Sequence, residues 1–171
     1  MKTRNDVPER KRTVLDLYAT SAEAYDRWAM NPDETNIVDV RTPEEYIFVG
    51  HAEMARSVPL LFVRYQWDVK KDEPVVRPNP EFVSRIRRLY APDDVLFLMC
   101  RSGGRSAVAV NALAQAGFTN VYNIIDGFEG DKVDDPTSAY HGKRMKNGWK
   151  NSGAPWTYDC DPNLLWIEED Q

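Results

Sequence analysis

Val95-Leu96-Phe97-Leu98-Met99-Cys100-Arg101-Ser102-Gly103-Gly104-Arg105-Ser106 is a wholly apolar run that gives way, at Cys100, to a loop of arginine, serine and glycine. Five consecutive apolar residues after the turn-forming Asp93 and Asp94 read as a strand buried on both faces, the pattern of a parallel sheet. Downstream, Val110, Leu113, Ala114 and Gly117 recur at helical spacing, which predicts a helix over 105–116. Cys100 therefore falls where a strand turns into a helix. At such a junction successive backbone N–H groups can point into one concavity, and the helix N-terminus carries about half a positive charge. Gly103 and Gly104 supply the backbone freedom a tight cradle needs, while Arg101 and Arg105 bring forked donors for oxyanions. This combination favours a thiolate over a thiol, and so predicts a nucleophilic cysteine in an anion-binding cradle.

Working outward, the chain of 171 residues fits one domain, and 42% hydrophobic with 11% aromatic residues is ample for a sizeable core. With 22 basic against 27 acidic side chains the net charge is -5, which argues against a nucleic-acid partner held by broad electrostatic attraction. No apolar run is long enough to span a membrane. The first dozen residues are charged and contain no apolar signal segment, so a cytoplasmic location is expected unless a signal has already been removed. Cys100 and Cys160 are too few for a disulfide framework, and no Cys/His cluster has zinc-ligand spacing, so neither a metal nor a cofactor is expected.

Along the chain, residues 1–14 read as a charged tail or irregular lead-in, with a short helix possible over 9–18. Thr20 or Ser21 caps a helix that ends at Asn31-Pro32. A strand over 37–40, a helical turn over 43–48, a turn at Gly50-His51 and a short strand over 55–58 follow. The stretch 61–79 mixes aromatic and charged residues with Pro74 and Pro78 and has no clear period, so it is expected to be an irregular loop, lid or insertion. A helix over 81–90, the cysteine strand with its helix, and a strand over 121–125 complete an alternation of strands and helices. That alternation indicates an α/β domain around a parallel sheet with functional loops at the carboxyl ends of the strands.

The loop 100–106 resembles the active-site loop of rhodanese-like sulfurtransferases. A second motif agrees: Asp39-Val40-Arg41-Thr42-Pro43-Glu44-Glu45-Tyr46, followed by Gly50-His51, is similar to that family's amino-terminal signature and lies about 60 residues upstream of the cysteine. Val121 to Phe128 with Asp126-Gly127, then Asn147-Gly148-Trp149-Lys150-Asn151-Ser152-Gly153-Ala154-Pro155-Trp156, resembles its carboxyl-terminal pattern. The resemblance spans about residues 17 to 156 and implies a three-layer fold, a central mainly parallel sheet flanked by helices. It implies a single domain over 15–158, preceded by the lead-in and followed by an acidic tail at 159–171. Segments 61–79 and 130–147 exceed a minimal member and are expected to shape the pocket rim and substrate choice.

What the resemblance implies for chemistry is a sulfurtransferase. The Cys100 thiolate would take the outer sulfur of thiosulfate or a similar donor, and cyanide, a thiol or a protein persulfide partner would exchange sulfur with it. Arg101 would lean outward to guide the donor and Arg105 would brace the loop. Ser102 and Ser106 would donate hydroxyl hydrogen bonds to sulfur or cap the helix, with capping favoured for Ser106. Asp39 and Arg41 would form an ion pair supporting the loop, direct substrate contact being the alternative. Glu44 and Glu45 suit the first turn of a helix. His51, Trp149 and Trp156 read as structural, Cys160 as incidental among carboxylates, and Arg85, Arg87 and Arg88 as a solvated helix face. Two other functions stay open: a non-catalytic interaction module, and a phosphatase or arsenate reductase. Against the latter, four residues separate Cys100 from Arg105, where those enzymes have five. Oligomeric state is not legible.

Overall fold

The computed structural model describes residues 2–167. Five strands form a wholly parallel sheet: β1 (Tyr18–Ala19), β2 (Thr35–Asp39), β4 (Arg56–Ser57), β7 (Val95–Met99) and β8 (Val121–Ile124). Their spatial order is β1-β8-β7-β2-β4, so the apolar run before Cys100 occupies the centre. Strand side chains alternate between faces. Leu96 and Leu98 join Val38 and Val121 in one buried cluster, while Phe97 and Met99 join Ile37 and Ile124 in another.

Four helices cover the sheet: α1 (Ser21–Met30), α2 (Pro43–Val49), α3 (Phe82–Leu89) and α4 (Gly104–Gln115). Phe82 and Ile86 of α3 and Ala109, Val110 and Leu113 of α4 pack onto the Leu96–Leu98 face, and Ala24 of α1 packs onto the other. The result is the expected α/β arrangement, a parallel sheet between helical layers. Local sequence sets the helix starts. Thr20 and Glu23 make a capping box for α1; Thr42 and Glu45 make one for α2, with Pro43 in its first turn. None of the helices among the described residues is long and apolar enough to cross a membrane.

Several expectations need correction. The stretch 61–79 is an antiparallel ribbon of β5 (Leu61–Asp68) and β6 (Glu73–Pro78) rather than an irregular loop. The Asp68 carboxylate accepts from the Lys70 and Lys71 N–H groups, and Asp72 takes a left-handed φ of 54°, which together turn the chain. Both faces are largely open, Tyr65 being 97% exposed, so no period-two hydrophobic pattern marks these strands. Pro74 and Pro78 are tolerated because a two-stranded ribbon leaves outward N–H positions unpaired.

Residues 9–18 do not form a helix. The lead-in makes two 3₁₀ turns, Arg4–Asp6 and Glu9–Lys11, and buries Val7 and Lys11, the latter through Nζ bonds of 2.8 and 2.9 Å to Asp131. The turn expected at Gly50-His51 is a glycine closing α2 at φ 90°, followed by β3 (His51–Ala52), which pairs antiparallel with β9 (Trp156–Thr157). Beyond β9 the chain folds back over the β4 edge, where the Ser57 N–H donates to the Leu164 carbonyl at 2.8 Å and Trp166 packs against Phe62. This part of the acidic segment is therefore no free tail; residues 168–171 lie outside the described residues.

Candidate active site

Cys100 follows β7 directly and continues the Leu96–Leu98 side of the sheet, the side that α4 covers. Its side chain is consequently buried beneath the first turn of that helix. The Gly103 N–H donates to Sγ at 3.2 Å. Gly103 adopts φ 92°, and a Cβ there would collide with the Ile125 carbonyl, so glycine is required on two counts. Gly104 differs from expectation: it is the first residue of α4 without a positive φ, and the nearest atom a Cβ would meet is the Arg10 carbonyl oxygen at 4.0 Å. The special glycine on the opposite wall is Gly127, at φ 63°, whose missing Cβ leaves room for the Cys100–Ser102 backbone. Around it the Phe128 N–H donates to the Cys100 carbonyl at 2.8 Å, and the Glu129 and Gly130 N–H groups donate to the Arg101 carbonyl at 3.0 and 3.2 Å.

Ser106 does not cap α4, whose N-cap position is Gly103. Its fully buried hydroxyl lies 3.3 Å from Cys100 Sγ and 2.6 Å from Asn123 Oδ1. Asn123 Nδ2 donates to the carbonyls of Lys11 and Gly103 at 2.9 and 3.0 Å, tying the lead-in, β8 and the cysteine loop together. Sequence reasoning passed over Asn123; the available signal was an amide inside an otherwise apolar strand, a position that demands partners. Ser102 is half-buried, and its hydroxyl has no hydrogen bond among the described residues.

Arg105 braces the loop through a partner that was not foreseen. Its two terminal nitrogens meet the two Glu45 oxygens at 2.6 Å each, a bidentate fork joining α4 to α2. Burial opposes the charge on Glu45, but the Arg105 guanidinium, with the Thr42 N–H, outweighs it and holds the carboxyl below its usual range. Burial likewise opposes the Arg105 charge, and Glu45 overrides it and raises the pKa. Arg101, by contrast, is exposed, with no acidic side chain at ion-pair distance among the described residues.

Asp39 and Arg41 are paired and wholly buried. Arg41 Nη2 reaches Asp39 Oδ2 at 2.6 Å and the Gly50 carbonyl at 2.7 Å, while its guanidinium lies 4.2 Å from the Phe128 ring centre. Val40, between them, donates its N–H to the Met99 carbonyl at 2.8 Å, so the pair anchors the strand end beside Cys100 and offers a substrate no open face. Asp126 accepts from the Ser21 N–H, the Ser21 hydroxyl and the Gly148 N–H, and burial nevertheless pushes its carboxyl up. His51 stacks on Tyr46 at 3.7 Å and bonds its carbonyl, Trp149 Nε1 donates to the Pro155 carbonyl, and Trp156 meets Phe128 edge-on. Cys160 is exposed and unbonded to Cys100. Among the described residues no three His, Cys, Asp or Glu side chains converge as a metal site.

Chemically, this arrangement offers one thiol at a helix N-terminus, with an N–H aimed at its sulfur and an exposed arginine without an ion-pair partner next to it in the chain. Comparison with known proteins points the same way. Residues 21–133 match the family described as Rhodanese-like domain. A Rickettsia rickettsii protein described as an uncharacterized RP600 homolog is 35% identical over 139 residues, covering 81% of this chain and 94% of that protein. Thiosulfate sulfurtransferase 16, chloroplastic, of Arabidopsis thaliana is 35% identical over 91 residues, 53% of this chain and 68% of that protein. The crystal structure of Rv0390 from M. tuberculosis superposes with a TM-score of 0.63 at 28% identity, covering 83% of this chain and 99% of that one.

Proposed function

The chain belongs to the rhodanese-like domain family, a family of sulfur transfer, and from that premise we propose that it moves a sulfane sulfur from thiosulfate, or a similar donor, to cyanide or a thiol through a persulfide on Cys100. The observation that carries this reading is the buried Sγ under the first turn of α4 with the Gly103 N–H 3.2 Å away. In the first half-reaction the Cys100 thiolate attacks the outer sulfur of thiosulfate. A new S–S bond forms, the old one breaks, and sulfite departs with the bonding pair, leaving an anionic persulfide. In the second, cyanide or an acceptor thiolate attacks the terminal sulfur, and the Cys100 thiolate leaves as it entered. Splitting the transfer into two displacements is covalent catalysis. The Gly103 N–H and the helix end supply stabilisation for anionic sulfur as charge moves outward. Arg105 is occupied by Glu45 and braces the cradle; Arg101 is the loop cation free to meet a donor anion. Four residues between Cys100 and Arg105 make a small ring, suited to a terminal sulfur more than to a phosphate with its own oxygens.

Intact-protein mass spectrometry after brief thiosulfate treatment tests the reading. The expected result is a single-sulfur mass gain in the wild type, absent in Cys100→Ser and erased by cyanide with release of thiocyanate. No gain with thiosulfate, mercaptopyruvate or a protein persulfide would overturn it, and aryl phosphate hydrolysis that depends on Cys100 would replace it with the phosphatase reading.

A further inference from the structure

The 130–147 segment brings the Arg144 guanidinium to the wall that holds the Arg101 main chain. Arg144 Nη1 donates to the Gly130 carbonyl at 2.7 Å, and the Gly130 N–H in turn donates to the Arg101 carbonyl at 3.2 Å. Two hydrogen bonds thus connect the Arg144 head group to the cysteine loop. The segment is held in place at both ends. Asn151 Nδ2 donates to the Arg144 and Asn147 carbonyls at 3.2 and 2.8 Å, and Asn147 Oδ1 accepts from the Asp131 N–H at 2.7 Å. Gly130, with φ 87°, lies so close to the Asn147 backbone that a Cβ could not fit.

Charge is unbalanced at this spot. Two nearby carboxylates are engaged elsewhere, Asp131 by Lys11 at 2.8 Å and by Arg10 at 3.6 Å, and Asp134 by Lys146 at 2.8 Å, while Glu129 adjoins Arg144 without reaching ion-pair distance. Neither Arg101 nor Arg144 has a carboxylate within ion-pair distance among the described residues. Burial first, then repulsion by Arg101 and Arg10, lower the pKa of Arg144 against the opposing pull of Glu129 and Asp131. Two arginines that no carboxylate meets at ion-pair distance leave positive charge available to an anionic ligand.

We propose that Arg144 joins Arg101 in a two-guanidinium clamp that holds the oxyanion end of a small dianionic sulfur donor while its outer sulfur faces Cys100. This rests on the sulfur-transfer reading above and adds to it a specificity residue outside the cysteine loop. A monoanionic alkanethiosulfonate delivers the same sulfur, losing a sulfinate instead of sulfite, but offers the clamp one charge fewer. The 130–147 segment then discriminates between donors by charge rather than by the sulfur they transfer.

The test uses the full chain carrying Cys160→Ser, with Arg144→Ala, Arg144→Gln and Arg144→Lys. In steady-state assays the KM for thiosulfate should rise about tenfold in Arg144→Ala and Arg144→Gln with kcat within about twofold, the KM for ethanethiosulfonate should rise by less than about threefold, and Arg144→Lys should recover part of the loss. A donor-free assay compares alkylation of Cys100 by anionic iodoacetate and by neutral iodoacetamide; the iodoacetate rate should fall several-fold in Arg144→Ala and Arg144→Gln while the iodoacetamide rate holds. An unchanged iodoacetate-to-iodoacetamide ratio, or equal KM rises for both donors, would overturn the clamp. Should the alkylation ratio fall in a protein that forms no persulfide, the anion clamp stands and the sulfur-transfer reading fails. Should the wild type turn over thiosulfate with Arg144→Gln indistinguishable from it, the clamp fails alone.

Discussion

Ser106 has one hydroxyl proton and two neighbours that want it, Asn123 Oδ1 at 2.6 Å and Cys100 Sγ at 3.3 Å. Asn123 decides the contest. Its Nδ2 faces the Lys11 and Gly103 carbonyls, which fixes the amide so that Oδ1, an acceptor only, points at Ser106. The Ser106 proton therefore goes to Asn123, and the amide in turn ties two main-chain carbonyls on either side of the cysteine loop. In Asn123→Ala the buried Lys11 and Gly103 carbonyls lose their donor and Ser106 its acceptor, so the fold should lose about 1–3 kcal/mol in a denaturant titration. A loss within about 0.5 kcal/mol would mean that Asn123 does not hold the lead-in and the cysteine loop together.

At the level of elements, the junction of β7 and α4 rests on one glycine rather than two. Gly103→Ala meets both a left-handed φ and the Ile125 carbonyl, and should destabilise the fold by more than about 1 kcal/mol while displacing the N–H aimed at Sγ. Gly104→Ala should change stability by no more than about 0.5 kcal/mol in a denaturant titration, since a Cβ there has space in an ordinary helical turn. Equal losses in the two variants would contradict this division. In the sequence the two glycines look alike, because what separates them is a carbonyl of Ile125 some twenty residues away. The β7-loop-α4 unit itself was legible, since an uninterrupted apolar run, turn residues and helical spacing all lie within one local window. Glu45 was not, because its bond to Arg105 joins positions 60 residues apart and its capping-box pattern already accounted for it locally. The β5–β6 ribbon was invisible for another reason: strands exposed on both faces carry no alternation to read, and its prolines argued for a loop. In the sequence Arg144 is one of several basic residues in the 130–147 segment, with Lys143 and Lys146 beside it; its placement depends on how Gly130 and Gly148 let the segment fold onto the site.

Over the whole molecule, the two ion pairs around the cradle act over different ranges. Asp39–Arg41 sits at the end of β2, whereas Glu45–Arg105 connects α2 to α4, so the acid stability of the fold and the integrity of the site are coupled. Glu45 has a folded-state pKa below its ordinary 4.5, so the stability it contributes is fully present above that value and is lost as the pH falls through the folded value. Asp126 runs the other way. Its folded-state pKa is raised by burial, so its contribution is fully present below its ordinary 3.8 and is lost as the pH rises through the folded value. The two carboxyls therefore tilt the stability curve in opposite directions, and removing one exposes the slope of the other. Glu45→Gln keeps the side-chain shape but cannot form the charged fork, so it should be less stable than the wild type at neutral pH, with the gap closing as the pH drops below 4.5. Thermal melts of the two proteins from neutral to strongly acid pH read that gap directly. A gap that stays constant with pH would assign the loss to packing rather than to the Glu45 charge.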